Sequence, residues 1–99
     1  MNLHQLWDSG LLESEGGSAA EIANRINARL TPDKIKAWET GSPSTWAFES
    51  FEYARSCAYK IPGDGKITEE YQKRAMPIME QRLAQAGIRL AWVLNQGFK

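Results

Sequence analysis

Two residues near the start of the chain combine types and spacing that could do chemistry: His4 and Asp8, four apart. On a helix that spacing sets an imidazole and a carboxylate on one face, one turn apart, within reach of the same ion. Both are zinc ligands, but protein zinc sites use three or four, so two cannot hold the metal tightly. The same pair also occurs as an ordinary surface ion pair. The chain has a single histidine and a single cysteine, Cys57. That excludes a self-contained multi-histidine site, a cysteine-based zinc finger and an internal disulfide. Any further ligands must be acids or come from outside these residues, leaving at most one partial zinc site here.

Other candidates carry weaker chemistry. Arg82 and Arg89 stand seven apart on the last helical stretch. They could contact phosphate or pair with Glu80 or an acid on another helix. Cys57 falls on an apolar helix face with no histidine nearby, which reads as a core thiol rather than a nucleophile. The four tryptophans, Trp7, Trp38, Trp46 and Trp92, could stack on bases, but in a small helical domain they read first as core. Trp46 is expected in the core, and Trp7, beside Asp8, behind the metal pair. Pro62-Gly63-Asp64-Gly65 is a turn cluster. An EF-hand register through Gly65 would place Lys60, Pro62 and Tyr71 at ligand positions, and none of them is a carboxylate.

The elements that position these residues read as helical throughout. With 99 residues and 11.1 kDa the chain is one domain at most. Twelve Lys+Arg balance twelve Asp+Glu, so the broad basic excess of a nucleic-acid-binding face is absent. A hydrophobic share of 42% with 24% charged residues fits a folded chain. No apolar run is long enough to span a membrane. The first residues lack the basic, apolar and small-residue pattern of a signal peptide. Ser18 and Glu21 form a capping box opening a helix from about Ala19 to Leu30, with Ile22, Ile26 and Leu30 as its apolar stripe. Thr31-Pro32 starts a short helix to about Trp38, ended by Gly41. Ser42-Pro43 starts another reaching roughly Tyr59, with Trp46, Ser50, Ala54, Cys57 and Ala58 on one face and Glu49, Glu52 and Arg55 largely off it. Thr68 caps the next helix, which Pro77 should kink or restart near Met76. Met79, Leu83, Ala86, Leu90 and Val93 or Leu94 then form the longest amphipathic pattern. Ala84, Ala86, Gly87 and Ala91 would let a neighbouring helix approach closely. No stretch alternates with period two for long enough to be a strand. The expected fold is an all-α helical bundle.

Several separated segments, in order, resemble one family. Asn2-Leu3-His4-Gln5-Leu6-Trp7-Asp8-Ser9-Gly10 is similar to the N-L-H-x-x-W-D segment of the zinc-dependent single-strand-specific nucleases of the S-one/P-one type, within the phospholipase C/nuclease superfamily. Trp46-Ala47-Phe48-Glu49-Ser50 resembles their W-A-x-E-S segment, and Ala58-Tyr59-Lys60 follows as in plant members. Pro77-Ile78, Arg82 to Ala91 and Leu94-Asn95 resemble their C-terminal helix. The likeness spans essentially all of the chain.

That resemblance implies the C-terminal part of a larger all-helical phosphodiesterase with three zinc ions, which cleaves single-stranded DNA and RNA and removes 3′-phosphates from nucleotides. It gives His4 and Asp8 the role of ligands to one zinc and places Ser9 against the nucleotide. The remaining ligands would lie in an N-terminal portion outside these residues, so the chain alone is expected to be inactive. The complete family enzyme would be secreted or periplasmic, with single-stranded nucleic acid or a nucleotide as substrate and no membrane partner. Cys57 has no partner for the disulfides of fungal and plant members, which points to a bacterial-type relative. Asp8, where the phospholipase branch usually has glutamate, favours the nuclease side. Two alternatives stand beside this reading: a non-catalytic helical interaction module that keeps the scaffold, and a phospholipase C-like zinc phosphoesterase.

Overall fold

Local chain chemistry fixes each helix start. In the computed structural model, which describes residues 2–61 and 66–98, Asn2 opens the first helix. Its side chain accepts from the Gln5 amide at 2.8 Å, while the Gln5 side chain accepts from the Asn2 amide at 3.0 Å. Helix α1 (Leu3–Gln5) runs through a π-helical turn (Leu6–Gly10) into α2 (Leu11–Glu15), forming one rod. Ser18 and Glu21 make the expected capping box for α3 (Ala19–Ala28). Thr31 caps α4 (Pro32–Trp38), and Ser42 caps α5 (Pro43–Tyr53), each with proline at the helix start. Helix α5 continues as a second π-helical turn (Ala54–Ala58). Thr68 caps α6 (Glu69–Gly97), with Glu69 and Glu70 in its first turn where the helix dipole favours them. The described residues contain no strand, so the all-α expectation holds. The expected turn Pro62-Gly63-Asp64-Gly65 lies outside the described residues.

Helix α6 is the organising element, and α2, α3 and α4 all pack against it. The core lies between the first rod and the N-terminal half of α6. Leu6, Leu11, Tyr71, Ala75 and Met79 are buried there, with Leu3, Trp7, Ile61, Ile67 and Met76 around them. At about 1.5 Å per residue, α6 is roughly twice as long as the rod that covers it. The radius of gyration is accordingly 14.9 Å, against about 13 Å for a compact chain of this size.

Several expectations about α6 and α5 are corrected. Pro77 does not restart α6, which is continuous from Glu69 to Gly97. Pro77 and Lys73, whose carbonyl loses its partner, are both on the exposed side, where water can satisfy it. The stripe from Leu83 onward is not core: beyond Met79, the buried positions of α6 are Glu80, Gln85 and Arg89. The reason is that α5 packs on that helix through polar groups. Gly87 has no close-packed neighbour, since a Cβ there would meet nothing within 4 Å.

The predicted α5 face does meet α6, through Trp46 and Ser50, but the contact extends further round the helix than expected. Glu49, placed off the packed face, points at α6 and pairs with Arg82 and Arg89. Trp46 is half-buried outside the main core, its indole N–H donating to the Thr40 carbonyl at 2.9 Å and its ring edge-on to Trp92. Cys57 is half-buried, also outside that core, with Sγ 3.5 Å from the Ser56 hydroxyl.

Candidate functional site

The first rod, α5 with its π extension, and α6 enclose a cleft of about 350 Å³. His4, Trp7 and Asp8 form one wall; Ser50, Tyr53, Ala58 and Tyr59 form the other; Ile78 and Arg82 come from α6. His4 Nε2 stands 2.8 Å from Asp8 Oδ2, with side chains 83% and 65% exposed. The expected i,i+4 pairing on one helix face is therefore present, at the rim of the cleft and open to solvent.

Both walls are π-helical beside the cleft. The Leu11 amide donates to the Leu6 carbonyl, and the Tyr59 amide donates to the Ala54 carbonyl at 3.0 Å. Each is an i→i+5 bond, a rare widening found frequently at functional sites. In the first rod the wide turn contains Trp7, Asp8 and Ser9; in the second it contains Ala58 and ends at Tyr59. The two turns are tied together through α6. The Trp7 indole N–H donates to the Tyr71 hydroxyl at 2.8 Å, and that hydroxyl donates to the Ala58 carbonyl. Tyr71 is only 2% exposed. Trp7 thus lies next to the His4–Asp8 pair and is anchored from behind.

The floor is electrostatically closed. Arg82 donates to Glu49, to the Ser50 hydroxyl and to Gln85 Oε1, and its guanidinium lies 4.8 Å from the Tyr53 ring centre. Arg89 donates to the Trp38 carbonyl and twice to Glu49. The arginines therefore take the acid of another helix, the second of the two uses open to them from sequence. Glu80 is taken instead by Arg29. The Arg89 hydrogen bond, followed by that of Arg82, holds the Glu49 carboxyl below the usual carboxylate range.

Ser9 is exposed, its hydroxyl 3.5 Å from the Gln5 carbonyl oxygen, and it does not line this cleft. Tyr53 and Tyr71 are the cleft and anchor residues that sequence reasoning missed. Tyr71 carries a signal in retrospect, because it sits in the first turn after the Thr68 cap and faces the rod. Tyr53 carries none.

The donor set at the rim, one imidazole nitrogen and one carboxylate, fits one edge of a zinc site. Among the described residues no group of three or more His, Cys, Asp or Glu side chains comes together, so nothing here completes it. No helix among the described residues is long and apolar enough to cross a membrane.

The fold and the site together define an all-helical chain with an imidazole–carboxylate pair at the rim of an aromatic cleft. Comparison with known proteins makes that specific. The chain matches the S1/P1 Nuclease family over residues 1–99 and belongs to it. Endonuclease 2 of Arabidopsis thaliana is 37% identical over 111 aligned positions, covering 98% of this chain and 38% of that protein. Endonuclease 4 and Endonuclease 3 of the same plant are 35% and 32% identical, with the same coverages of 98% and 38%. The chain therefore spans about 38% of the length of the relatives it matches. No solved structure matches it.

Proposed function

We propose that this chain is the C-terminal part of a zinc-dependent phosphodiesterase that hydrolyses single-stranded nucleic acid and 3′-nucleotides. In this reading His4 and Asp8 ligate one of three zinc ions. The observation that carries it is the 2.8 Å His4–Asp8 pair at the mouth of a cleft walled by two π-helical turns. Family membership and the relatives' names as endonucleases support it.

Zinc, when bound, neutralises phosphate charge and activates water for attack on phosphorus. The chain's own residues hold and orient. His4 must present a neutral ring nitrogen, so acid competes with the metal. Trp7, fixed by Tyr71, backs the turn that carries Asp8 and limits its movement. Tyr59 and Tyr53 give the opposite wall an aromatic surface against which a base can lie. Arg82 is consumed by Glu49 and Ser50 and shapes the floor rather than binding phosphate. With net charge zero, phosphate affinity would come from the metal. Ser9 is kept as a substrate contact that would need its hydroxyl to turn from Gln5. In this reading the complete enzyme works outside the cell or in the periplasm.

The single histidine makes the test direct, because the chain has one imidazole to observe. Zinc is titrated into the purified chain while His4 is followed by NMR. A weak, saturable shift of His4 that disappears in Asp8→Ala supports the ligand pair; an unmoved His4 at millimolar zinc overturns it. Zinc-dependent cleavage of single-stranded DNA by the 99-residue chain would overturn its predicted inactivity in isolation.

A further inference from the structure

Away from the cleft, two acids meet where α2, α3 and α6 come together. Glu15 is the last residue of α2, and Glu80 faces it from the middle of α6. Their side chains are only 9% and 10% exposed. Glu15 Oε1 stands 3.3 Å from Arg25 Nη2, and Arg29 donates to Glu80 Oε2. The second Glu15 oxygen, Oε2, is buried and has no hydrogen-bond partner among the described residues. An ionised oxygen left dry and unbonded is costly, so buried carboxylates find donors. Glu80 keeps one oxygen that Arg29 does not take.

We propose that Glu15 and Glu80 share one proton, carried by Glu80 and donated to Glu15 Oε2, and that this bond latches the end of α2 to α6. The surrounding charges favour a proton over a metal cation. The charged groups turned to Glu80 are Glu15 from α2, Arg25 and Arg29 from α3 and its C-cap, and Lys34 from α4. One turn away on α6 itself, Met76, Pro77, Leu83 and Ala84 carry no charge. Two guanidinium groups at the pair would repel a divalent ion. They do not hold both acids ionised, because their side chains are 41% and 63% exposed and water screens them. Lys34 is spent on the Arg29 carbonyl, to which its Nζ donates at 3.2 Å. Two carboxylates in one dry site resist ionising together, and one keeps its proton. Burial, and then Glu15, push the Glu80 carboxyl up against the pull of Arg29 and Arg25.

The latch sits beside a corner that can open. Gly16 and Gly17, at φ +76° and +89°, turn the chain from Glu15 into α3. Arg25 braces that corner, its Nη2 donating to the Gly16 carbonyl at 3.1 Å. As pH rises the proton leaves to solvent, two buried carboxylates are left facing each other, and the corner with the start of α3 loosens. Acid closes it again. The latch uses no residue of the cleft and does not rest on the zinc reading.

Carbon-13 NMR of the glutamate carboxyls in the 99-residue chain, followed through a pH titration, tests it. The Glu80 signal should move in a step above the usual carboxylate range, and the Glu15 signal should register the same step. Glu15→Gln should shift the Glu80 step to lower pH. Glu80→Gln, whose amide can donate to Glu15 at every pH, should remove the step from Glu15 and keep the corner closed. Hydrogen exchange of the Ile22 to Ala28 amides, corrected for its intrinsic pH dependence, reads the corner itself. Protection in the parent relative to Glu80→Gln should fall at least about tenfold from acid, below the usual glutamate value, to neutral pH. That is the factor that one unit of elevation carries. The proposal is overturned by a Glu80 step inside the usual range, by one that Glu15 does not register, by one that Glu15→Gln leaves in place, or by a protection ratio that does not change with pH.

Discussion

Arg89 of α6 grips Glu49 of α5 with both terminal nitrogens, at 2.7 and 3.1 Å, while its Nε donates to the Trp38 carbonyl at 3.0 Å. One side chain thereby joins the end of α4, the middle of α5 and the back of α6. Its plane also lies over Trp46, with Cζ 5.1 Å from the ring centre. The Arg89 side chain is 10% exposed and that of Glu49 33%. Arg89→Ala should cost about 2–3 kcal/mol, below the value for a fully buried pair because Glu49 keeps some water. Arg89→Lys should recover little, since an ammonium cannot make the forked contact or stack on Trp46. Chemical denaturation of the two variants beside the parent chain measures both; full recovery by lysine would show that charge alone matters.

Glu49 and Glu80 should tilt stability in opposite directions with pH. Glu49 is depressed chiefly by the Arg89 hydrogen bond. Its contribution is therefore present above the unfolded glutamate value and is lost as pH falls through the lowered folded value. Glu80 is raised, first by burial and then by the neighbouring Glu15 carboxyl, with Arg29 and Arg25 opposing the rise. Its contribution is full below the unfolded value and is lost as pH rises through the raised one. Glu49→Gln should flatten the acid side of the melting-temperature profile. Glu80→Gln should gain on the parent as pH rises from acid to neutral. Parallel profiles for the two variants would refute the assignment.

The Tyr71 hydroxyl joins the two π-helical turns, accepting from Trp7 and donating to the Ala58 carbonyl. Tyr71→Phe leaves the Trp7 N–H and the Ala58 carbonyl each without that partner. The expected loss is about 1–3 kcal/mol for unsatisfied part-buried polar groups, with the ring still filling its place in the core. If the metal reading is right, the variant should also weaken the zinc response of His4, because the turn that carries Asp8 is no longer anchored. Denaturation and the His4 titration read the two effects separately.

Local chemistry made much of this fold legible in advance. Ser18, Thr31, Ser42 and Thr68 each cap the helix expected of them, because a short polar side chain before an amphipathic run has few other uses. The His4–Asp8 contact follows from helical spacing alone. What periodicity could not show was which face of α6 meets which neighbour. Leu83, Leu90 and Val93 look like core by spacing, yet the side toward α5 is filled by Gln85 and Arg89. Hydrophobicity assigns a buried side only when the packing partner is itself apolar, and Glu49 is not. The π-helical turns were illegible for a different reason: an i→i+5 bond leaves no residue signature, and Leu6–Gly10 contains nothing that forbids an ordinary α-turn.

Two glycines give opposite and decisive expectations. Gly41 ends the stretch after α4 at φ +95°, a region other residues rarely adopt. A Cβ there would also stand 2.7 Å from Thr45 Oγ1 and 3.1 Å from Trp46 Nε1. Those atoms are engaged, Thr45 in the α5 cap and Trp46 with the Thr40 carbonyl, so neither can move freely. Gly41→Ala should therefore destabilise by at least about 1–2 kcal/mol, from backbone strain and contact together. Gly87 sits inside α6 with nothing within 4 Å of its would-be Cβ. Gly87→Ala should stabilise the single chain by about 0.5–1 kcal/mol, because a helix-interior glycine loses more backbone freedom on folding and gains no packing in return. Denaturation of the single chain at low micromolar concentration measures that gain. A loss in Gly87→Ala under those conditions would mean that Gly87 is close-packed in solution, contrary to the open surroundings seen here.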